Sequence, residues 1–382
     1  MRKIAVVTST RADYGILRPL LFAISKDSAL NLELIVTGSH LLEEQGFTYK
    51  EIEKDFSDFT KVEMLLEQNS SKLNSIAMAY LQKDLTQLFS EILPDIVVIL
   101  GDRFEILSVA MSAMMLHIPL AHIHGGELTQ GAMDDMIRHA ITKLSHLHFT
   151  STQEYASRVT QMGEEPCRVF NVGALGVENI KNISLFTKEE LEDSLKFKFQ
   201  KQNILFTYHP QTLSITSPQK QIEIVLDALE AFNDVGIIFT KSNIDEGAEI
   251  INQALQNYVE KHPNTMLIDS LGILRYFSAI EYVDCVVGNS SSGILEVPSF
   301  HTPTVDIGDR QEGRIYAKSV LKTPLKKENI IQIIKQALST DFQKSIKELT
   351  NPYEGKDTSF TIKEVLKKSK LEELQIKVFY KA

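Results

Sequence analysis

Two stretches of the chain concentrate the side chains that can move protons or hold charge. LGDRFEIL carries Asp102, Arg103 and Glu105, and HIHGGELTQGAMDDMIRH carries His122, His124, Glu127, Asp134, Asp135, Arg138 and His139. Short apolar runs lead into both, DIVVIL into the first and IPLAHI into the second. In an open parallel sheet, ligands bind at the carboxyl ends of the strands, where loops and helix starts converge. Polar groups crowded at such ends are costly to bury unless they are paired or used. The segment therefore reads as a catalytic crevice for an anionic substrate.

Other strand ends add polar groups suited to a phosphate or a sugar. TSTRADYG places Arg11 and Asp13 where a ligand's phosphate or hydroxyl would meet a helix start. The loop lacks GxGxxG, and GxxxxGKS/T occurs nowhere, so neither a dinucleotide fold nor a P-loop NTPase is expected. DCVVGNSSSGILEVPSF runs a strand into Gly288, after which Ser290, Ser291 and Ser292 are expected to open a helix. Backbone N–H groups and hydroxyls at a helix start suit a diphosphate. Glu296, one turn on, is placed to accept from two ribose hydroxyls. DIGDRQEGR supplies Arg310, which can neutralise a phosphate bidentately. LFTYHP ends a strand with His209, and FTKSN ends another with Lys241, Ser242 and Asn243. His262 and His301 lie in loops without evident partners and are expected at the surface.

Strand-like runs alternating with helical patterns must position these groups. In the first half, strands are expected near Ile4–Thr8, Leu32–Thr37, Asp95–Leu100, Leu120–Ile123, Leu147–Thr150 and Val169–Val172, with helices such as Leu17–Ser25, Asn74–Leu93 and Phe104–Met115 between them. After a polar, helical linker around residues 175–200 the alternation restarts at Ile204–Thr207, Gly236–Thr240, Met266–Ile268, Cys285–Val287 and Thr304–Asp306. This pattern predicts α/β architecture with doubly wound parallel sheets. The expected division is residues 1–175, 176–358 and a C-terminal helix in 359–382 that packs back on the first domain. A length of 382 residues agrees with roughly two cores.

Composition narrows the partners. The net charge of −10 disfavours nucleic acid or an acidic membrane as the main partner. Cys167 and Cys285 lie far apart and outside any metal-ligand spacing, which fits a reducing compartment and no metal site. The start, MRKIAVVTSTRADYG, has four consecutive apolar residues, short of the ~7–15 of a signal peptide. No run approaches the ~18 apolar residues of a membrane span. A cytoplasmic protein is expected.

Taken together, TSTRADYG, VTGSHL, GDRFEIL, HIHGGE, DDMIRHAITKLSHLHFTST, VFNVGALGVEN, TYHP and GNSSSGILEVPSF resemble the hydrolysing UDP-N-acetylglucosamine 2-epimerases of bacterial sialic-acid synthesis. The resemblance spans nearly the whole chain. It implies two Rossmann-like domains of the glycosyltransferase B (GT-B) type with the UDP-sugar in the interdomain cleft, no cofactor, and a homodimer. It further implies UDP contacts from Arg11, Arg103, His209, Asn243, Ser290, Ser291, Glu296 and Arg310, with Asp102 and Asp134 among the catalytic acids. Glu127, His124 and His209 are the further proton-transfer candidates. Two departures stand out: many relatives carry glutamate where this chain has His124, and LTQGAMDD is one residue longer than the corresponding loop.

The implied reaction converts UDP-N-acetylglucosamine and water to N-acetylmannosamine and UDP. UDP leaves C1 and a proton leaves C2, giving a 2-acetamidoglycal, and water then adds at C1 with reprotonation of C2 on the other face. Two faces require two acid/base groups, and no redox cofactor is needed. The alternatives are the same reaction on UDP-2,4-diacetamido-2,4,6-trideoxy-glucose, leading to legionaminic acid, or sugar transfer by a GT-B glycosyltransferase.

Overall fold

Runs such as IAVV in β1 (Arg2–Thr8) and IVVIL in β4 (Ile96–Leu100) are apolar at every position. Strands of this kind are stable only when both faces of their sheet are covered. The computed structural model, which describes residues 1–64, 71–129, 133–211, 215–242 and 247–381, builds this arrangement twice.

The first unit comprises Met1–Glu127, Met133–Asn179 and Tyr353–Ala382. Its strands are β1, β2 (Leu30–Val36), β3 (Thr60–Lys61), β4, β5 (Leu120–Ile123), β6 (Leu147–Thr150) and β7 (Val169–Asn171). They pair in parallel in the order β3-β2-β1-β4-β5-β6-β7. Alternate residues feed opposite cores. Ile4, Val6, Ile96 and Val98 join a cluster with Leu17, Leu20 and Leu21 of the helix Arg11–Ser25. Ala5, Val7, Val97 and Ile99 join Leu81, Leu85 and Val109 on the other face. The helix Thr358–Lys368 adds Ile362 and Leu366 to the first of these clusters. Lys363 and Lys367 on that helix reach Asp27 at 3.1 and 2.8 Å, and Ser359 Oγ donates to Glu178 at 3.0 Å.

The second unit, formed mainly by Ile180–Pro352, repeats the plan. Its strands are β8 (Asn203–Thr207), β9 (Gly236–Thr240), β10 (Thr265–Ile268), β11 (Cys285–Gly288), β12 (Thr304–Ile307) and β13 (Val320–Thr323), in the order β10-β9-β8-β11-β12-β13. Ile204, Phe206, Ile237 and Phe239 face one core, and Leu205 and Ile238 face the other.

Both orders reverse direction once, between β1 and β4 and between β8 and β11. Loops on either side of such a switch point diverge and leave a crevice at the carboxyl ends of the strands. The polar motifs lie there. Among the described residues, no helix is long and apolar enough to cross a membrane. The helix expected after β11 is a single turn, Ser292–Leu295, running into the 3-10 turn Val297–Phe300. Glu296 therefore ends the helix instead of lying inside it. His262 also differs from expectation: it stacks on Tyr258 with ring centroids 3.9 Å apart and lies 3.3 Å from Glu230.

Candidate active site

In the first unit the site begins at the end of β1. Thr10 caps the helix Arg11–Ser25 by accepting the Asp13 amide at 3.1 Å, which fixes Arg11 and Asp13 in its first turn. Arg11 Nε donates to Glu51 at 3.0 Å. Asp13 accepts from Ser9 Oγ at 2.8 Å, and burial raises its pKa to about 6 against the opposing pull of Arg103. After β4, Gly101 turns the chain at φ +74°, so that Asp102 and Arg103 follow immediately. Arg103 Nε donates at 2.6 Å to Glu105, whose side chain has no exposure.

The loop after β5 is held in costly geometry. His124 has φ +67°, a left-handed conformation that costs a non-glycine residue ~1–2 kcal/mol. Gly126 has φ +80°, and a Cβ there would meet Tyr155 O at 2.5 Å, which explains a glycine at this point. The loop thereby turns Glu127 inward to 3% exposure. Its Oε1 accepts from Ser151 Oγ at 2.8 Å and lies 3.4 Å from His124 Nδ1.

One buried cation ties these groups together. The helix Met133–Leu144 buries Ile137, Arg138, Ile141 and Thr142 along one face, and Arg138 is 2% exposed. Its Nη2 binds the Asp102 carboxylate. Its Nη1 donates to Glu127 O at 2.9 Å and reaches Asp135 at 3.3 Å. Asp134 is half-buried in the first turn of the same helix. His122 supports the Asp102 turn from below, with Nε2 2.8 Å from Gly101 O. Burial depresses the His122 pKa to about 3 and keeps the ring neutral at ordinary pH.

In the second unit a single amide organises the strand ends. Asn289, 1% exposed, accepts the His209 N–H at 2.7 Å and returns a hydrogen bond to His209 O at 2.8 Å. The Asn289 carbonyl accepts from Arg310 Nη1 at 3.1 Å and Gln311 Nε2 at 2.8 Å. His209, Ser290, Ser291 and Arg310 are thus assembled around one residue. His209 Nδ1 is 3.1 Å from Ser242 Oγ, and burial followed by the Arg310 charge lowers its pKa to about 3. The Ser290 and Ser291 hydroxyls form no hydrogen bond among the described residues. Gly288 has φ +145°, and a Cβ would lie 1.8 Å from Thr207 O, so β11 can approach β8 only with glycine there. Asn243 lies outside the described residues.

The structure therefore brings Asp102, Glu127 and His124 together through Arg138 and Ser151, and His209 and Arg310 together through Asn289. Arg11 is engaged with Glu51. Sequence reasoning did not single out Arg138, Ser151 or Asn289 for these roles. A signal existed for Arg138, which sits between Ile137 and Ile141 on the apolar stripe of its helix, where an unpaired charge would be untenable. Ser151 gave none, since a serine after a strand is commonplace. Among the described residues no three His, Cys, Asp or Glu side chains are grouped to hold a metal ion.

Two parallel doubly wound units with polar groups at their switch points define the GT-B architecture. A solved UDP-GlcNAc 2-epimerase from Neisseria meningitidis, bound to UDP-GlcNAc, has the same fold, with a TM-score of 0.83 at 16% identity over 96% of this chain and 100% of that one. The family model for UDP-N-acetylglucosamine 2-epimerase matches residues 22–367. The chain is 43% identical over 348 residues to the GDP/UDP-N,N'-diacetylbacillosamine 2-epimerase (hydrolyzing) of Campylobacter jejuni, covering 90% of this chain and 89% of the relative. It is 40% identical over 356 residues to polysialic acid biosynthesis protein P7 of Escherichia coli, covering 92% and 90%. The chain belongs to the UDP-N-acetylglucosamine 2-epimerase family and is an enzyme of that family.

Proposed function

We propose that this enzyme is a hydrolysing 2-epimerase that converts a UDP-2-acetamido sugar and water to UDP and the free sugar inverted at C2. The observation that carries this reading is that buried Arg138 binds both the Asp102 carboxylate and the Glu127 carbonyl, with the Glu127 carboxylate lying beside His124. Breaking the C1–O bond builds positive charge on the sugar, and ionised carboxylates beside the ring stabilise it. The C2 proton passes to one acid/base group, giving the 2-acetamidoglycal. Water then adds its oxygen to C1 while a second group protonates C2 from the opposite face. Asp102 and Asp134 are assigned as the acids, and Glu127, steered by Ser151 and adjacent to His124, as the proton-transfer pair's carboxylate. His209, held neutral by burial, serves UDP as a hydrogen-bonding imidazole. Ser290, Ser291 and Arg310 answer the diphosphate, Arg11 and Arg103 contact UDP, and Glu296 answers the ribose.

On the first reading the substrate is UDP-N-acetylglucosamine and the product N-acetylmannosamine. A second reading, UDP-N,N'-diacetylbacillosamine, is favoured by the 43% identical Campylobacter relative and its name. Mass spectrometry of acceptor-free reactions with each UDP-sugar, side by side, separates them. Release of UDP with the free 2-epimer supports the hydrolysing reading and identifies the sugar. No release without an added acceptor alcohol refutes it in favour of a glycosyltransferase.

A further inference from the structure

A chain of two hydroxyls leads to Glu296. Ser292 Oγ donates to Glu296 Oε2 across one helical turn. Tyr276 Oη, from the helix Gly272–Tyr282 after β10, donates to the same Ser292 Oγ at 2.7 Å. Burial raises the Glu296 pKa and the Ser292 hydrogen bond opposes the rise. With Glu296 ionised, the Ser292 proton is committed to a carboxylate, which only accepts, and the chain runs from phenol to serine to carboxylate. Hydrogen bonds in series polarise one another and strengthen. Burial and the Glu296 charge push the Tyr276 phenol pKa up, so it remains a donor at all ordinary pH. Oε2 is thereby occupied, while Oε1 accepts no hydrogen bond from the described residues.

We infer that Tyr276 and Ser292 are positioning residues that lock the Glu296 carboxylate with one oxygen turned to the ribose, and so set a preference for ribonucleotide over deoxyribonucleotide. This rests on the assignment of Glu296 to the ribose of UDP. A free glutamate rotates about three side-chain bonds, and immobilising such a side chain on binding carries an entropic cost. The relay removes that cost before the ligand arrives. In this relay Tyr276 reaches Glu296 through Ser292.

The test is calorimetric binding of UDP and of 2′-deoxy-UDP to the full chain, in wild type, Tyr276→Phe, Ser292→Ala and Ser292→Thr. Wild type is expected to favour UDP. Tyr276→Phe keeps the ring and its packing but breaks the chain, so UDP affinity should fall about threefold to tenfold, the worth of one hydrogen bond. Affinity for 2′-deoxy-UDP should fall less, shrinking the preference. Ser292→Ala should behave likewise, while Ser292→Thr, which keeps a hydroxyl, should restore wild-type selectivity. A Tyr276→Phe protein with undiminished preference, or with equal losses for both nucleotides, overturns the relay while leaving the UDP reading intact. A wild-type protein with no preference overturns the ribose assignment of Glu296 and the relay with it.

Discussion

Arg138→Met is the most informative single change. Methionine approximates the length of the arginine stem and retains its apolar packing, so the lost contacts are those of the guanidinium. They are an ion pair to Asp102, a hydrogen bond to Glu127 O at 2.9 Å and a longer contact to Asp135 at 3.3 Å. Removing one partner of a buried pair costs ~3–5 kcal/mol. Asp102 and Asp135 are each 24% exposed, so water reaches both carboxylates and reduces the penalty. The orphaned Glu127 carbonyl adds ~1–3 kcal/mol. The discounted total is about 2–4 kcal/mol. For a unit of this size, where ~1 kcal/mol moves Tm by about 2–4 °C, the expected loss is roughly 4–16 °C. Turnover should fall further than stability implies, because Asp102 and the Glu127 loop lose their common anchor. A misplaced catalytic group costs about 10²-fold. Thermal unfolding followed by circular dichroism, with turnover measured well below the variant's Tm, separates the two effects. Wild-type Tm together with turnover within twofold of wild type would refute the view that Arg138 organises the site.

Ser290→Ala combined with Arg310→Ala should weaken UDP binding about tenfold or more, since one charge-assisted hydrogen bond contributes ~1.5–3 kcal/mol; calorimetry giving wild-type affinity excludes the diphosphate assignment. Asp102→Asn, Asp134→Asn and Glu127→Gln should each lower turnover roughly 10²-fold with UDP affinity nearly unchanged, and His124→Gln should cost less than Glu127→Gln, because Ser151 still steers that carboxylate. The protein should lose stability steeply as pH falls from 6.5 towards 4. His40 and His146, with pKa depressed to about 4, and His122 and His209, depressed to about 3, stay neutral in the fold but protonate when unfolded. Asp13 and Asp306, raised to about 6 and about 7, oppose this by taking up protons in the folded state. Burial likewise lowers the pKa of His148 and His139 and raises that of Glu296 and Asp284. The more numerous histidines dominate near pH 5, so stability should fall as pH drops from 7 to 5; a Tm that stays level over that interval would contradict that balance.

The central strands were legible because parallel strands covered on both faces must be continuously apolar, as IAVV in β1 and IVVIL in β4 show. The two strands missed, β3 and β13, lie at sheet edges. Thr60–Lys61 is exposed throughout, and Val320–Thr323 carries Lys322 on an open face, so neither has the apolar run that betrays a central strand. The acids and serines of the candidate site were visible as motifs because strand-end loops lie close to their strands in sequence. Their connectors were not, since Arg138 joins Asp102 across 36 positions and Asn289 joins His209 across 80. Long-range pairing of that kind leaves no local pattern. The serines after Gly288 mark a helix start and place Glu296 one turn inside, but Pro298 follows the single turn Ser292–Leu295 and the backbone tightens into a 3-10 turn.

The elimination and rehydration at the centre of the account are tested most directly by running the reaction in D₂O and, separately, in H₂¹⁸O, with NMR and mass spectrometry of the released sugar. Loss of UDP by C1–O cleavage, followed by reprotonation at C2, predicts deuterium at C2 of the 2-epimer and oxygen-18 on its C1 hydroxyl, with none in UDP. Retention of the original hydrogen at C2, or release of the sugar without inversion, would contradict it.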